Sequence, residues 1–113
     1  MRAFGFLLAA LGIALGAFGA HALKGSLSPE LLNTWETAVR YQMYAAFGIQ
    51  LGCLQKGSHR PVWFLALGWL LFSGSLYLLC LTGLRWLGAI TPLGGLAMIA
   101  GWLLLGREAL KHE

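Results

Sequence analysis

Three ionisable residues beside long apolar segments are the clearest candidates for chemistry in this chain. His21 closes the first apolar segment, and Glu36 and Arg40 stand four residues apart in a stretch predicted to be helical. Ionisable groups at membrane depth are costly and indicate function by default. Two interpretations stay open for this cluster at the non-cytoplasmic end of the first two helices. Glu36 and Arg40 form a structural ion pair within one helix, or the three residues form a proton-responsive or ligand-binding cluster, since histidine titrates near neutral pH.

Ser73 and Tyr77 form a second candidate feature, a polar seam on one face of the predicted third helix. Hydroxyl groups inside a membrane usually hydrogen-bond to a neighbouring helix and hold it in place. The same hydroxyl groups could also line a path for a neutral solute or a lipid.

No set of residues typical of catalysis or of metal binding is present in the sequence. It has no aspartate, no HExxH motif, no phosphate-binding loop and no paired carboxylates. Cys53 and Cys80 lie in apolar runs without CxxC spacing, which favours packing residues over metal ligands or a disulfide. We therefore expect no enzymatic activity, no cofactor and no metal.

The amino-acid composition is typical of an integral membrane protein. Of its 113 residues 58% are hydrophobic and 11% are charged, whereas soluble domains carry about 25% charged residues. The net charge of +4 comes from basic residues scattered between apolar segments. Such scatter favours attraction to anionic lipids over nucleic-acid binding. Membrane lipids are the expected partners.

Four apolar segments predict an all-α membrane protein with a single domain over 1–113, a bundle of four transmembrane helices. The predicted spans cover residues 3–23, 36–55, 62–82 and 86–105. The first segment also imitates a signal peptide ending in Ala20, His21, Ala22, but its apolar run is longer than a usual signal core. A retained helix is the favoured interpretation.

The second helix is predicted to begin with an amphipathic stretch. Ser28, Pro29 and Glu30 supply an N-cap, a first-turn proline and an acid near the positive helix end. The apolar part after Arg40 is short against a hydrocarbon core of about 30 Å. This span must include some of the amphipathic turns, or the membrane must be locally thin.

The distribution of lysine and arginine predicts that both chain ends lie in the cytoplasm. One side of the predicted topology carries Arg2, Lys56, Arg60, Arg107 and Lys111, and the other carries Lys24, Arg40 and Arg85. Cytoplasmic loops of membrane proteins carry more lysine and arginine than the loops on the opposite side, so the side with five basic residues is predicted to be cytoplasmic.

Small residues line one side of the first helix, namely Gly5, Ala9, Gly12, Gly16 and Gly19. Such a face allows close backbone approach between helices in lipid. Packing inside the monomer is the favoured interpretation, and a subunit interface or ligand groove is the alternative. A weaker stripe of the same kind, Gly94, Ala97 and Gly101, lies on the fourth helix.

Three stretches resemble a known family: GAFGAHALK at 16–24, WETAVRYQ at 35–42, and the paired segments LFSGSLYLLCLTG at 71–83 and LGAITPLGGLAMIAGW at 87–102. Together they resemble the YgdD/YwdK-like small inner-membrane proteins, a family of unknown function. The resemblance implies a four-helix protein of the bacterial cytoplasmic membrane and supplies no activity.

Three functional hypotheses follow from the sequence. The first is a structural, accessory or interaction protein that packs through glycine-rich helix faces, as a homo-oligomer or within a larger membrane complex. The second is an oligomeric transporter or channel for small solutes or lipids. The third is a lipid-binding membrane modulator anchored by its tryptophans.

Overall fold

The protein is built from four long helices. A computed structural model describes residues 1–113, apart from the side chain of Ala20, and within that part all regular structure is helical. Helix α1 is Arg2–Leu23, α2 is Pro29–Leu54, α3 is Arg60–Thr82 and α4 is Thr91–Lys111. The expectation of an all-α fold is confirmed.

Local chemistry fixes where α2 begins and where α3 ends. The Ser28 hydroxyl accepts a 3.2 Å hydrogen bond from the Leu31 amide, and Pro29 occupies the first turn of α2. The predicted start of this helix is therefore correct. Gly83 ends α3 in the left-handed conformation with φ of 75°, which glycine adopts without a Cβ clash.

The fourth helix begins later than the sequence predicts. Residues 86–90 were expected to open it, but Arg85–Ala89 form a separate 3-10 helix and α4 begins at Thr91. The cause is Pro92, which has no amide hydrogen and is accommodated in the first turn of a helix but not in its interior. The short turn predicted between the last two spans thus contains an extra 3-10 segment.

Consecutive helices pack against each other in chain order. Helix α1 contacts α2, α2 contacts α3, and α3 contacts α4, whereas α2 and α4 touch only marginally. The buried core lies where these pairs meet and includes Leu8, Ile49, Leu65, Met98 and Leu105. The resulting molecule measures 50 × 26 × 17 Å.

Helices α3 and α4 approach most closely at glycines. A Cβ added at Gly94 would clash with the Phe72 backbone, and one added at Gly68 would lie 2.9 Å from the Gly94 carbonyl oxygen. Gly101 similarly faces Leu65 and the Pro61 carbonyl. The small-residue stripe of the fourth helix thus serves its contact with α3.

Three helical segments are long and apolar enough to cross a membrane, namely Arg2–Leu23, Arg60–Thr82 and Arg85–Lys111. Helix α2 is not among them, although its 26 residues are enough for a crossing. Its first half carries Asn33, Glu36 and Arg40, which lower its hydropathy. By length and composition, the first, third and fourth predicted spans are therefore supported, and the second is not.

Candidate functional site

Helix α2 is tied to α1 by side-chain donors that bind backbone carbonyl oxygens. The three hydrogen bonds are Trp35 Nε1 to the Leu15 oxygen at 2.9 Å, Gln42 Nε2 to the Leu8 oxygen at 2.8 Å, and Gln50 Nε2 to the Arg2 oxygen at 2.7 Å. The donors stand seven and eight residues apart, so they lie on one side of α2. They set the register of the antiparallel pair.

The predicted polar seam is used for contacts between helices. The Ser73 hydroxyl donates a 2.7 Å hydrogen bond to the Ala38 carbonyl, and the Tyr77 hydroxyl donates one of 2.7 Å to Gln42 Oε1. Ser73 and Gln42 are fully buried. Gln42 thereby joins α1, α2 and α3, and both hydroxyl groups of the seam have protein partners.

The glycine face of α1 lies against α2. A Cβ added at Gly5 would clash with the Gln50 side chain, and one added at Gly12 would lie 2.5 Å from Met43 Sδ. At Gly16 and Gly19 the nearest side chains are Val39 and Trp35, at 3.0 and 3.1 Å. These four glycines therefore sit at a contact within the chain.

Glu36 and Arg40 lie deeper along the bundle than the sequence suggests. The Ser73 hydrogen bond places Ala38, midway between them, beside a residue nine positions from the end of α3 at Thr82. At 1.5 Å per residue, this level is about 13 Å inside the end of α3. Both side chains are nevertheless exposed on the outside of the bundle.

The side chains of His21, Glu36 and Arg40 do not contact each other through hydrogen bonds or salt bridges in the part of the chain that is described. His21 lies near the end of α1 and is exposed. The ion pair expected between Glu36 and Arg40 is not formed. The salt bridge found among the described residues joins Lys111 Nζ and Glu108 Oε1 at 3.3 Å. A spacing of four residues allows such a pair without imposing it, so the role of these residues stays a prediction.

An open aromatic groove adjoins the exposed face of α2. It has a volume of about 590 Å³ and lies between α2 and α4. Tyr41 stacks on Phe72 at the floor, with ring centroids 4.4 Å apart, and Trp102 forms part of the α4 wall. Tyr44 borders the groove and is also 44% exposed. On the exposed side of α2 the groove therefore lies one helical turn beyond Arg40.

Neither cysteine takes part in a metal centre within the described residues. Cys53 and Cys80 are both free, and the Cys80 thiol hydrogen-bonds to the Leu31 carbonyl at 3.3 Å. No group of three His, Cys, Asp or Glu side chains there could hold a metal ion.

The donors of α2 are the feature that sequence reasoning missed. The sequence analysis assigned no partner on α1 to Trp35, Gln42 or Gln50. Their seven- and eight-residue spacing was the available signal. A helical carbonyl already accepts a bond within its own helix, so the acceptors Leu8, Leu15 and Arg2 carry no signal in the sequence.

The fold and this surface define a helical transmembrane protein with an unusually polar second helix. The family described as "Protein of unknown function (DUF423)" matches residues 15–95. A UPF0382 membrane protein of Staphylococcus haemolyticus is 50% identical over 106 residues, covering 89% of this chain and 87% of the relative. The UPF0382 membrane protein YwdK of Bacillus subtilis is 40% identical over 115 residues, covering 96% and 94%.

The chain belongs to the DUF423 family, whose relatives are named UPF0382 membrane proteins. The resemblance to YwdK-like membrane proteins is thus confirmed. No solved structure is significantly similar to this chain.

Proposed function

We propose that this protein is a non-enzymatic accessory or interaction protein of the bacterial cytoplasmic membrane. It crosses the bilayer four times, with both ends in the cytoplasm. Its interaction surface is the exposed face of α2 that carries Asn33, Glu36 and Arg40. The observation that supports this role is the exposure of two charges about 13 Å along the bundle from the end of α3.

The physical argument concerns what surrounds these charges. Helix α2 lies alongside α1 and α3, which are both apolar enough to cross a membrane, so its outer half is at the depth of their lipid-facing residues. Charged side chains facing lipid at that depth are strongly disfavoured. A protein surface that supplies polar groups removes this cost. The α2 face is therefore better suited to a protein contact than to lipid.

The glycine faces have a different role in this proposal. Gly5, Gly12, Gly16 and Gly19 of α1 hold the helices of one chain together, because their open sides are filled by α2. Contact with other molecules is left to α2. The alternative function of a small-solute or lipid transporter has less support, since the hydroxyls of Ser73 and Tyr77 already have partners.

Removing both charges tests this role. The wild type and the Glu36→Leu/Arg40→Leu variant are extracted from their native membranes in polymer-bounded lipid discs, and the mass of the protein assembly is measured. We expect the wild type to be part of an assembly larger than one chain and the double variant to be released from it. Arg85→Leu is the control, because it removes an exposed charge outside α2.

The helical circular dichroism signal must be equal in all three proteins. Equal signals exclude unfolding as the reason why a variant leaves the assembly. A wild type that leaves the native membrane as a single chain with lipids alone would contradict the proposed role.

A further inference from the structure

We infer that the partner on the exposed face of α2 is a second copy of this chain, placed so that Glu36 of each copy meets the partner's Arg40. This inference rests on the proposed function and names the partner of that surface. It combines the pattern of exposed residues on α2, the signs of its two charges and the symmetry that a membrane imposes.

The exposed residues of α2 form one continuous stripe. They recur at spacings of three and four along the helix, at Asn33, Glu36, Arg40, Tyr44, Phe47 and Leu51. This is the spacing by which two helices pack along a straight seam. Phe47 and Leu51 are 54% and 55% exposed, so the stripe is open along its apolar half as well.

The charges on this face are self-complementary. Glu36 and Arg40 are four residues apart, which separates them by about 6 Å along the axis. Two copies inserted in the same orientation are related by a two-fold axis along the membrane normal, which brings the same faces together at the same depth. Each copy then offers its acid one turn from the partner's base. Two reciprocal ion pairs form, and no net charge is left in the seam.

The two charges need a partner outside their own helix bundle. Helices α1 and α3 occupy other sides of α2, and among the described residues neither Glu36 nor Arg40 forms a salt bridge. A foreign helix would have to supply an acid and a base in the matching order. A second copy supplies both by symmetry, without any further requirement.

Charge reversal in separate chains tests the inference. Glu36→Arg gives a chain with two positive charges on the stripe, and Arg40→Glu gives one with two negative charges. Each chain is purified alone and labelled with donor and acceptor fluorophores at its C-terminus. Association is then measured by energy transfer in vesicles of phosphatidylcholine.

We expect the wild type to associate and each single variant to associate about tenfold or more weakly, since like charges then face each other. Mixing the two variants should restore association to near the wild-type level, because opposite charges face each other in the mixed pair. Arg85→Glu, at an exposed site outside α2, should leave association unchanged. Rescue on mixing also shows that both variants have kept their fold.

Two results would overturn the inference. A wild-type chain that stays monomeric in vesicles while its extracts from native membranes hold a larger assembly would indicate a foreign partner, and the proposed function would stand. Association that is insensitive to both reversals would place the contact between copies on another face.

Discussion

Tyr77 and Gln42 are joined by a 2.7 Å hydrogen bond in which the Tyr77 hydroxyl donates to Gln42 Oε1. The amide group of Gln42 donates in turn to the Leu8 carbonyl. The buried side chain of Gln42 thus links three helices, because its oxygen accepts a hydrogen bond from α3 and its nitrogen donates one to α1.

Replacing Gln42 should cost more than replacing Tyr77. Gln42→Leu removes both hydrogen bonds and leaves the Tyr77 hydroxyl unpaired, so we expect the free energy of unfolding to fall by about 1–2 kcal/mol. Tyr77→Phe removes one bond, which is worth about 0.6 kcal/mol on average inside a membrane. Reversible unfolding in bicelles measures both values. Strictly additive losses in the double variant would show that the two side chains are not coupled.

Gly94→Ala should force α3 and α4 apart, because the added Cβ would clash with the Phe72 backbone. Backbone cannot rotate away as a side chain can, so we expect a loss of about 1–3 kcal/mol. Gly106→Ala is the matched control on the same helix, where nothing lies within 4 Å of the added Cβ. Equal thermal unfolding of the two variants would show that the helices part at little cost.

Gly12→Leu should weaken the attachment of α1 to α2 without changing the number of subunits. The new side chain would meet Met43, so stability should fall by about 1–3 kcal/mol. Ala10→Leu, at an exposed position of the same helix, should have little effect. Native mass spectrometry reports the subunit count of both variants. A change of count with Gly12→Leu alone would assign the glycine face to a subunit interface.

Four spans put both ends of the chain on the same side of the membrane, and the proposed orientation makes that side the cytoplasm. Green fluorescent protein, which folds in the cytoplasm but not after export, should therefore be fluorescent when fused to either terminus. Whole-cell fluorescence, normalised to the amount of fusion protein, is the measurement. Fluorescence from one terminus only would mean three spans and would place α2 outside the bilayer.

Features set by local chemistry were accessible from the sequence, whereas features set by register were not. The start of α2 follows from Ser28 and Pro29, whose effects act within one turn. The depth of Glu36 and Arg40 depends on which residue of α3 faces Ala38, and hydropathy contains no information on that alignment. The late start of α4 follows from Pro92, which belongs in a first turn, whereas the apolar run before it indicates an earlier start.

The packing of α2 also has a consequence for how the chain enters the bilayer. A basic side chain near the centre of a spanning helix raises its apparent insertion free energy by about 2.5–3.5 kcal/mol, and α2 carries Arg40 near the middle of Pro29–Leu54. Such a helix is poorly accepted by the insertion machinery as an isolated segment. Its hydrogen bonds from Trp35, Gln42 and Gln50 to α1 become available only when the two helices are side by side. In the four-span topology that we propose, α1 therefore stabilises α2 during insertion, and we expect the two helices to enter the bilayer together as a hairpin.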